Sequence, residues 1–522
     1  MILISIGTDR KLFEKDSVVG QRTLEYGKFF EEMHIVVFTT RVMNYNSRVK
    51  ISDKIFVYPT NSCNKLFYVW DAFLVIKKLF KKIKPKIENS YSNIVVSCQD
   101  PFETGLVGVF MKLFFNLPLH IQIHTDFKHK YFRQVSFLNT IRSLMSGFVV
   151  NFADRVRVVS ERVKRSIEPF SKNVDILPIK VELKTKDYEF KKEQKEMTNL
   201  LTVCRLEKEK NLETAIKAFK MISEKFSEAT FTIVGDGSER RNLEKLCEDL
   251  SLKNKVIFVG WQNDLTKYYK EASIYISTSM YEGYGISVVE AGSFGKALVL
   301  SDTGLAGDVF KNEDSALICD ALDTECFAEN ILRLFKDKNL IEKMGERAKE
   351  ETLKHLEQGE DYFEKYANAV KKTVENFETK NIFLRVLEFV NKFFNSVIYA
   401  RYFICGLTSA SLNILMLYIF TDKVGIWYLY SSMLAFVFST IISFTLQKFV
   451  VFKDRQINGI YRQFFKFVIT ITLGVVVNTC LVFNLVSVLG IWYILSQVIA
   501  GIFVMIQNFL IYRIIFKKVD TN

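Results

Sequence analysis

The stretch Glu282-Gly283-Tyr284-Gly285-Ile286-Ser287-Val288-Val289-Glu290 follows an apolar, β-rich run at 274–277 and opens a helical pattern. Gly283 and Gly285 let the backbone approach a ligand closely, and the first amides of a helix turn free N–H groups and positive dipole toward an anion. A diphosphate fits that position. Glu290, two turns into the helix, is placed to accept hydrogen bonds from vicinal ribose hydroxyls, which leaves Glu282 in the loop nearer a sugar. The plain alternative is that both glutamates are surface charges.

Working outward, strand-like runs at 200–204, 231–234, 256–259 and 297–300 alternate with helical sequence. Arg205 and Lys210 follow the first of these runs, and their charges suit a diphosphate leaving group whose negative charge grows as it departs. Gly235-Asp236-Gly237 ends the second and begins a helix, consistent with a tight approach to nucleotide or phosphate. Taken singly, these are loop cations and turns. Taken together at successive strand ends, they argue for one site along the carboxyl edge of a parallel sheet.

Residues 1–179 follow the same grammar, with runs at 2–6, 35–40, 94–97, 120–124 and 155–160 separated by helical candidates such as 65–84. A lysine- and glutamate-rich stretch at 182–198 reads as an interdomain linker. Charged helical sequence then runs from 323 to 375. Phe383, Val386, Val390, Phe393 and Val397 keep helical spacing, which suits an amphipathic segment in a membrane interface or one packed on the domain before it. The expected division is 1–180, 181–375, a linker at 376–398, and 399–522.

The chain has 522 residues, a net charge of +13 and a hydrophobic fraction of 49% that averages a mixed first part with a far more apolar tail. The basic residues are dispersed or flank apolar segments, so an anionic membrane surface is the expected partner rather than nucleic acid. The eight cysteines show no C-x-x-C pair and no zinc or disulfide spacing, and read as reduced packing residues. The first residues form a short apolar strand without the pattern of a signal peptide, so the N-terminus is expected in the cytosol.

In the tail, 402–421 and 424–447 lack charged side chains, and 467–512 is an uncharged run that turns near Gly490. Four spans of ~20 residues fit. Of ten Lys and Arg between 399 and 522, only Lys423 falls on the side of the first and third connections, whereas Arg401, Lys448, Lys453, Arg455, Arg462, Lys466, Arg513, Lys517 and Lys518 share the other. Both termini are therefore expected in the cytoplasm.

The tail also repeats itself with an offset of 65 residues. Arg401 aligns with Lys466, Asn413 with Asn478, Gly425-Ile426-Trp427-Tyr428 with Gly490-Ile491-Trp492-Tyr493, Phe444 with Phe509 and Lys448 with Arg513. Trp427 and Trp492 would mark the outer interface. Asn413 and Asn478 fall inside apolar spans, where an amide serves as interhelical glue or as part of a polar headgroup site.

Arg205 with Lys210-Asn211, Gly235-Asp236-Gly237, Val259-Gly260 and Glu282-x7-Glu290 together resemble glycosyltransferase family 4, across roughly 200–375. That resemblance implies a GT-B fold of two Rossmann-like domains, donor held mainly by the second, metal-independent transfer and retention of anomeric configuration. It places Arg205 and Lys210 on the diphosphate, Glu282 on the donor sugar and Glu290 on the ribose, with Gly283, Tyr284, Gly285 and Ile286 around the donor. His124, in His124-Thr125-Asp126, matches the first-domain position near the transferred sugar. With His120 and His129 it also invites a metal reading, which strand alternation and missing carboxylates argue against. The sequence departs from the family after the first strand, where Gly7-Thr8-Asp9 and Gly20-Gln21-Arg22 replace a glycine pair, and at Ala297, where a proline is common.

Arg401-Tyr402-Phe403, Ser443-Phe444 with Lys448 and Phe452, and Asn508-Phe509 with Arg513 and Phe516 make the tail resemble the GtrA-like family of four-span proteins. The implied architecture is two α/β domains followed by an all-α four-helix transmembrane domain. The implied function is a transferase in the plasma or inner membrane. It would move sugar from a nucleotide-diphosphate donor, without cofactor or metal, to a polyprenyl-linked or cell-surface glycan acceptor at the cytoplasmic face. A flippase or transport component for polyprenyl-phosphate sugars, with a regulatory or degenerate transferase region, is the alternative. A soluble polymer synthase would leave the tail without a role.

Overall fold

In a computed structural model of the protein, 1–14, 17–45, 48–83, 93–181, 198–357, 361–377, 384, 398–485 and 493–516 are the described residues. They form two compact units, Met1–Val386 and Leu387–Asn522. The linker at 182–197, the amphipathic stretch 381–397 apart from Leu384, Gly490 to Trp492, and Lys517 and Lys518 lie outside the described residues.

The first unit holds two sheets. One runs β3 (Val49–Ser52), β4 (Ile55–Pro59), β2 (Glu32–Val37), β1 (Ile2–Gly7), β5 (Ile94–Cys98), β6 (Leu119–Ile123), β7 (Arg155–Val158) and β8 (Val174–Ile176). All its pairings are parallel except β3 with β4. The other runs β11 (Val256–Gly260), β10 (Thr230–Val234), β9 (Asn199–Val203), β12 (Ile274–Ser277), β13 (Ala297–Ser301) and β14 (Leu317–Cys319), parallel throughout. Central strands such as β1, β6 and β13 are buried along their whole length because helices cover both faces.

Some details differ from the sequence reading, strand bounds and cysteines among them. The second strand begins at Glu32 and ends at Val37: the Phe38 amide makes the last rung to Gly7 O, and the Thr39 amide turns to Thr60 Oγ1 instead of continuing the ladder. Cys319 and Cys326 are joined as a disulfide, with Cα atoms 5.9 Å apart, rather than standing as reduced thiols. The chain turns back between the end of β14 and the first turn of the helix Thr324–Lys336, which brings the two together. Cys63, Cys98, Cys204, Cys247, Cys405 and Cys480 are free.

The helix Tyr362–Glu375 follows the second sheet in sequence but packs on the first, where Tyr362, Tyr366, Ala367 and Val370 join Leu3, Ile35, Val37 and Val95 in one core. Arg157, 2% exposed, ties this return in place. Its Nη2 donates to Tyr362 Oη at 3.0 Å, its Nη1 to Gln122 Oε1 at 3.0 Å, and its Nη2 to Leu177 O at 2.9 Å. Tyr366 Oη completes the group by accepting from Gln122 Nε2 at 3.2 Å.

The second unit contains the helices Ile398–Tyr418, Tyr428–Thr445, Ile460–Phe483 and Tyr493–Ile515. Three stretches, Arg401–Lys423, Leu429–Val451 and Ile460–Phe483, are long and apolar enough to cross a membrane, and the last helix adds a shorter apolar stretch, Phe503–Ile515. Their contact is built on rings: Phe467 and Tyr512 stack with centroids 4.6 Å apart, and Phe444 and Phe516 close around them. Lys448, fully buried, donates to Asp454 Oδ2 and to Gln463 Oε1, both at 2.7 Å, so this cation of the positive flank is neutralised inside the protein. Asn413 Nδ2 donates to Ser439 Oγ at 2.9 Å, linking the first two helices, while Asn478 sits half-buried in the third.

Arg157→Ala removes three donors from buried acceptors on Gln122, Leu177 and Tyr362, each worth about 1–3 kcal/mol when left unpaired. The variant is expected to lower the first thermal transition of the detergent-solubilised chain by several degrees, followed by intrinsic fluorescence. An unchanged transition would show that the return helix is held without this clasp.

Candidate active site

Lys210 and Glu282 lie 72 residues apart in sequence, and the sheet order makes them neighbours. β12 pairs with β9 in parallel, Ile274 opposite Leu200 and Tyr275 opposite Leu201, so the loops leaving both strands emerge side by side at the carboxyl edge. There Lys210 Nζ forms an ion pair with Glu282 Oε1, and Ser279 Oγ donates to the same oxygen at 3.0 Å. Burial opposes the charge on Lys210, but the Glu282 carboxylate outweighs it and holds the ammonium's pKa above its ordinary value. Lys210 is a cation throughout the neutral range.

Both side chains line a cavity of about 410 Å³. The same cavity takes in Arg205, Gly235, Tyr284, Gly285, Ile286, Ser287 and Glu290 from the second sheet's side, and His124 from the end of β6. Gly285 caps the helix Ile286–Ser293 at φ 93°, a left-handed conformation that a side chain would strain. With no side-chain cap, the first amides of this helix lack intrahelical acceptors and are available to an anion. Glu290 Oε2, deeper in the cavity, accepts from Tyr269 Oη at 2.8 Å, and Tyr275 Oη donates to Ser287 Oγ at 2.8 Å. Both phenols are buried, so these bonds set the orientation of Glu290 and of the helix's first turn.

Three residues of the motifs are placed elsewhere. Gly283 faces the first domain instead of the cavity: a Cβ there would sit 2.1 Å from His124 O, and Ser160 Oγ donates to Gly283 O at 2.8 Å. Its missing side chain lets the two domains meet. Asp236 caps Gly237 N at 2.8 Å and pairs with Arg240 at 3.1 Å. Gly237 fits against Leu206 O, which a Cβ would approach to 2.4 Å. Arg205 lines the cavity rim, two-thirds exposed, with its Nη2 3.1 Å from Glu209 Oε1.

His124 is exposed where it opens onto the cavity. The protein packed around it, then Arg157 and Arg22, push its pKa well below the usual imidazole range, which favours the neutral ring. His120 is taken up by Ser97, with Oγ 2.9 Å from Nδ1, and His129 Nδ1 receives the Tyr131 amide. Among the described residues no cluster of His, Cys, Asp and Glu is arranged to hold a metal ion.

A second cavity of about 270 Å³ adjoins the first and shares His124, Ile179 and Ile286 with it. Asp9, Arg22, Gln99 and Gln122 line it, as do Tyr362 and Tyr366 of the return helix. Asp9, after Gly7-Thr8, and Arg22, inside the helix Val18–Gly27, thus supply part of its wall. Sequence reasoning missed Gln99 and the tyrosines here, and Trp261, Gln262 and Tyr269 around the first cavity. Trp261 and Gln262 directly follow β11, so the strand-end argument applied to that strand would have found them.

Residues 184–351 match the family described as Glycosyl transferases group 1, and residues 401–516 match the GtrA/DPMS transmembrane domain. An uncharacterised glycosyltransferase of Methanocaldococcus jannaschii is 31% identical over 183 residues, 34% of this chain and 44% of that protein. The UDP-Gal:α-D-GlcNAc-diphosphoundecaprenol α-1,3-galactosyltransferase of Escherichia coli is 29% identical over 141 residues, 26% of this chain and 36% of its own length. The chain thus spans less than half the length of either relative. Sucrose-phosphate synthase of Thermosynechococcus elongatus shares the fold with a TM-score of 0.55 at 20% identity, covering 70% of this chain and 100% of that one. This chain joins a group 1 glycosyltransferase domain, within a GT-B pair of α/β sheets, to a C-terminal GtrA/DPMS transmembrane domain.

Proposed function

We propose that this chain is a membrane-anchored, retaining hexosyltransferase that moves a sugar from a nucleotide-diphosphate donor to a lipid-linked or cell-surface glycan acceptor. The observation that carries the proposal is the convergence of Lys210, Glu282, Glu290 and the first turn of the helix Ile286–Ser293 on one cavity, with His124 opposite. In this reading the ribose hydroxyls donate to Glu290, held by Tyr269. The diphosphate lies against the helix amides, with Lys210 and Arg205 as counter-charges. Glu282 accepts hydrogen bonds from hydroxyls of the donor sugar. Neutral His124 meets the sugar from the first domain as a hydrogen-bonding group rather than a cation.

As the glycosidic bond to the diphosphate breaks, negative charge accumulates on the leaving oxygens beside Lys210 and the helix terminus, where preorganised charge stabilises the transition state most. The acceptor oxygen then bonds to the anomeric carbon on the same face, its hydroxyl proton passing to the departing diphosphate oxygen, so the anomeric configuration is retained. The second cavity is the natural acceptor site, because it meets the donor cavity at His124. The Escherichia coli relative acts on a diphosphoundecaprenol-linked sugar by its name, which supports a lipid-linked acceptor.

For the tail we propose four spans with both termini cytoplasmic. The fourth is the helix Tyr493–Ile515, and Asn413 and Asn478 are interior polar positions. Asn413's bond to Ser439 gives that position at least a packing role.

Lys210→Ala and Glu282→Ala are each expected to cut kcat by about 10²–10³, the loss typical of one stabilising group at developing charge, with the fold retained by circular dichroism and the thermal transition lowered because the remaining charge loses its partner. Near-normal turnover in both would remove the proposed site. Transfer is expected to survive EDTA, because fixed cations and helix amides supply the diphosphate's counter-charge; reversible loss restored by a divalent ion would contradict this. Cysteine-accessibility mapping is expected to label position 423 from outside and position 453 from inside, and the opposite pattern would overturn the proposed topology.

A further inference from the structure

Most aromatic and aliphatic side chains of the helix Tyr68–Ile83 point inward: Ala72, Phe73, Ile76, Leu79, Phe80 and Ile83 are buried. Its outer face is nevertheless not simply polar. Trp70 is 57% exposed, Leu66 and Phe67 in the preceding turn are 90% and 49% exposed, and Phe114 of the neighbouring helix is 53% exposed. Phe73 links Trp70 and Phe114, with ring centroids 5.8 Å and 5.7 Å away. A cluster of large exposed apolar groups of this kind marks a contact surface.

The same face is cationic. Lys65, Lys77, Lys78, Lys81 and Lys82 are all exposed, and none is ion-paired among the described residues. Trp70, Lys77 and Lys81, seven and four residues apart, fall in one stripe of a 3.6-residue helix. Asp71 is the helix's one carboxylate. The ring-rich end and the lysine-rich end thus share one convex surface.

We propose that this face docks on an anionic bilayer, with Trp70, Phe67 and Phe114 at headgroup depth and the lysines above lipid phosphates. Lysine stems and tryptophan rings are suited to such an interface, apolar below and wet above. A convex helix face has no groove to track a strand of nucleic acid, whereas a planar lipid surface meets it along its length. The three long apolar helices of the same chain keep a bilayer within reach, so even weak docking is populated through high effective concentration. The inference rests on the membrane character of 401–516 and is independent of the transferase chemistry.

The test uses the full-length chain in lipid nanodiscs containing brominated phosphatidylcholine, and takes the emission difference between wild type and Trp70→Phe to isolate Trp70. With phosphatidylglycerol present, Trp70 emission is expected to be quenched. The quenching should diminish in discs of phosphatidylcholine alone or in about 0.5 M salt. Replacing Lys77, Lys78, Lys81 and Lys82 by Gln one at a time should weaken docking about fivefold per lysine. Unquenched Trp70 in anionic discs would overturn the proposal. So would quenching indifferent to lipid charge, salt and lysine number, or Trp70 emission that responds to added single-stranded RNA and not to lipid. Donor hydrolysis measured on the same samples reports separately on the catalytic proposal, since none of these residues lines either cavity.

Discussion

The pairing of β12 beside β9 is the constraint on which the site depends. Parallel pairing puts the carboxyl ends of both strands at one edge, and from there the turn at Lys208–Lys210 and the loop at 278–285 have no choice but to meet. The ion pair of Lys210 with Glu282 is the product of that meeting. Each partner also serves the other in the fold: a cation with so little access to water is costly without a counter-charge, and a carboxylate there is equally so. Charges that suit a diphosphate and a sugar are thus held ready by mutual compensation.

A second constraint governs how the two sheets meet. Gly283 admits the backbone of His124 where any side chain would collide, and Ser160 bonds across the same seam. The histidine is thereby brought to the cavity by main-chain packing, and the protein packed around it, then Arg157 and Arg22, lower its pKa. The same close approach of the two domains thus bears on both its position and its protonation.

Much of the second sheet was legible because buried parallel strands are short, continuous apolar runs; the run at 274–277 coincides with β12 residue for residue. β3 and β4 escaped, since the hairpin sits at a sheet edge and carries Lys50, Asp53 and Lys54 in and around its turn. β8 and β14 are three-residue strands, too short for periodicity to register. The motif residues Arg205, Lys210, Glu282 and Glu290 do line one cavity, but Gly283 was read as serving a ligand and serves a domain contact. Tyr269's bond to Glu290 had no sequence signal, because a tyrosine in a short helix looks like ordinary packing. Nor does the amphipathic pattern of 362–375 say which of two sheets it covers.

That last helix changes what the covalent chain can do mechanically. Because Tyr362–Glu375 is part of the first domain's core, the polypeptide enters the second domain from the first and returns to it before continuing toward residue 398. The second domain is an insertion, fastened at both ends to the same partner. Whatever follows Glu375 in the chain is therefore joined covalently to the first domain's core, through the helix that Arg157 ties in place, and not to the strands of the second sheet.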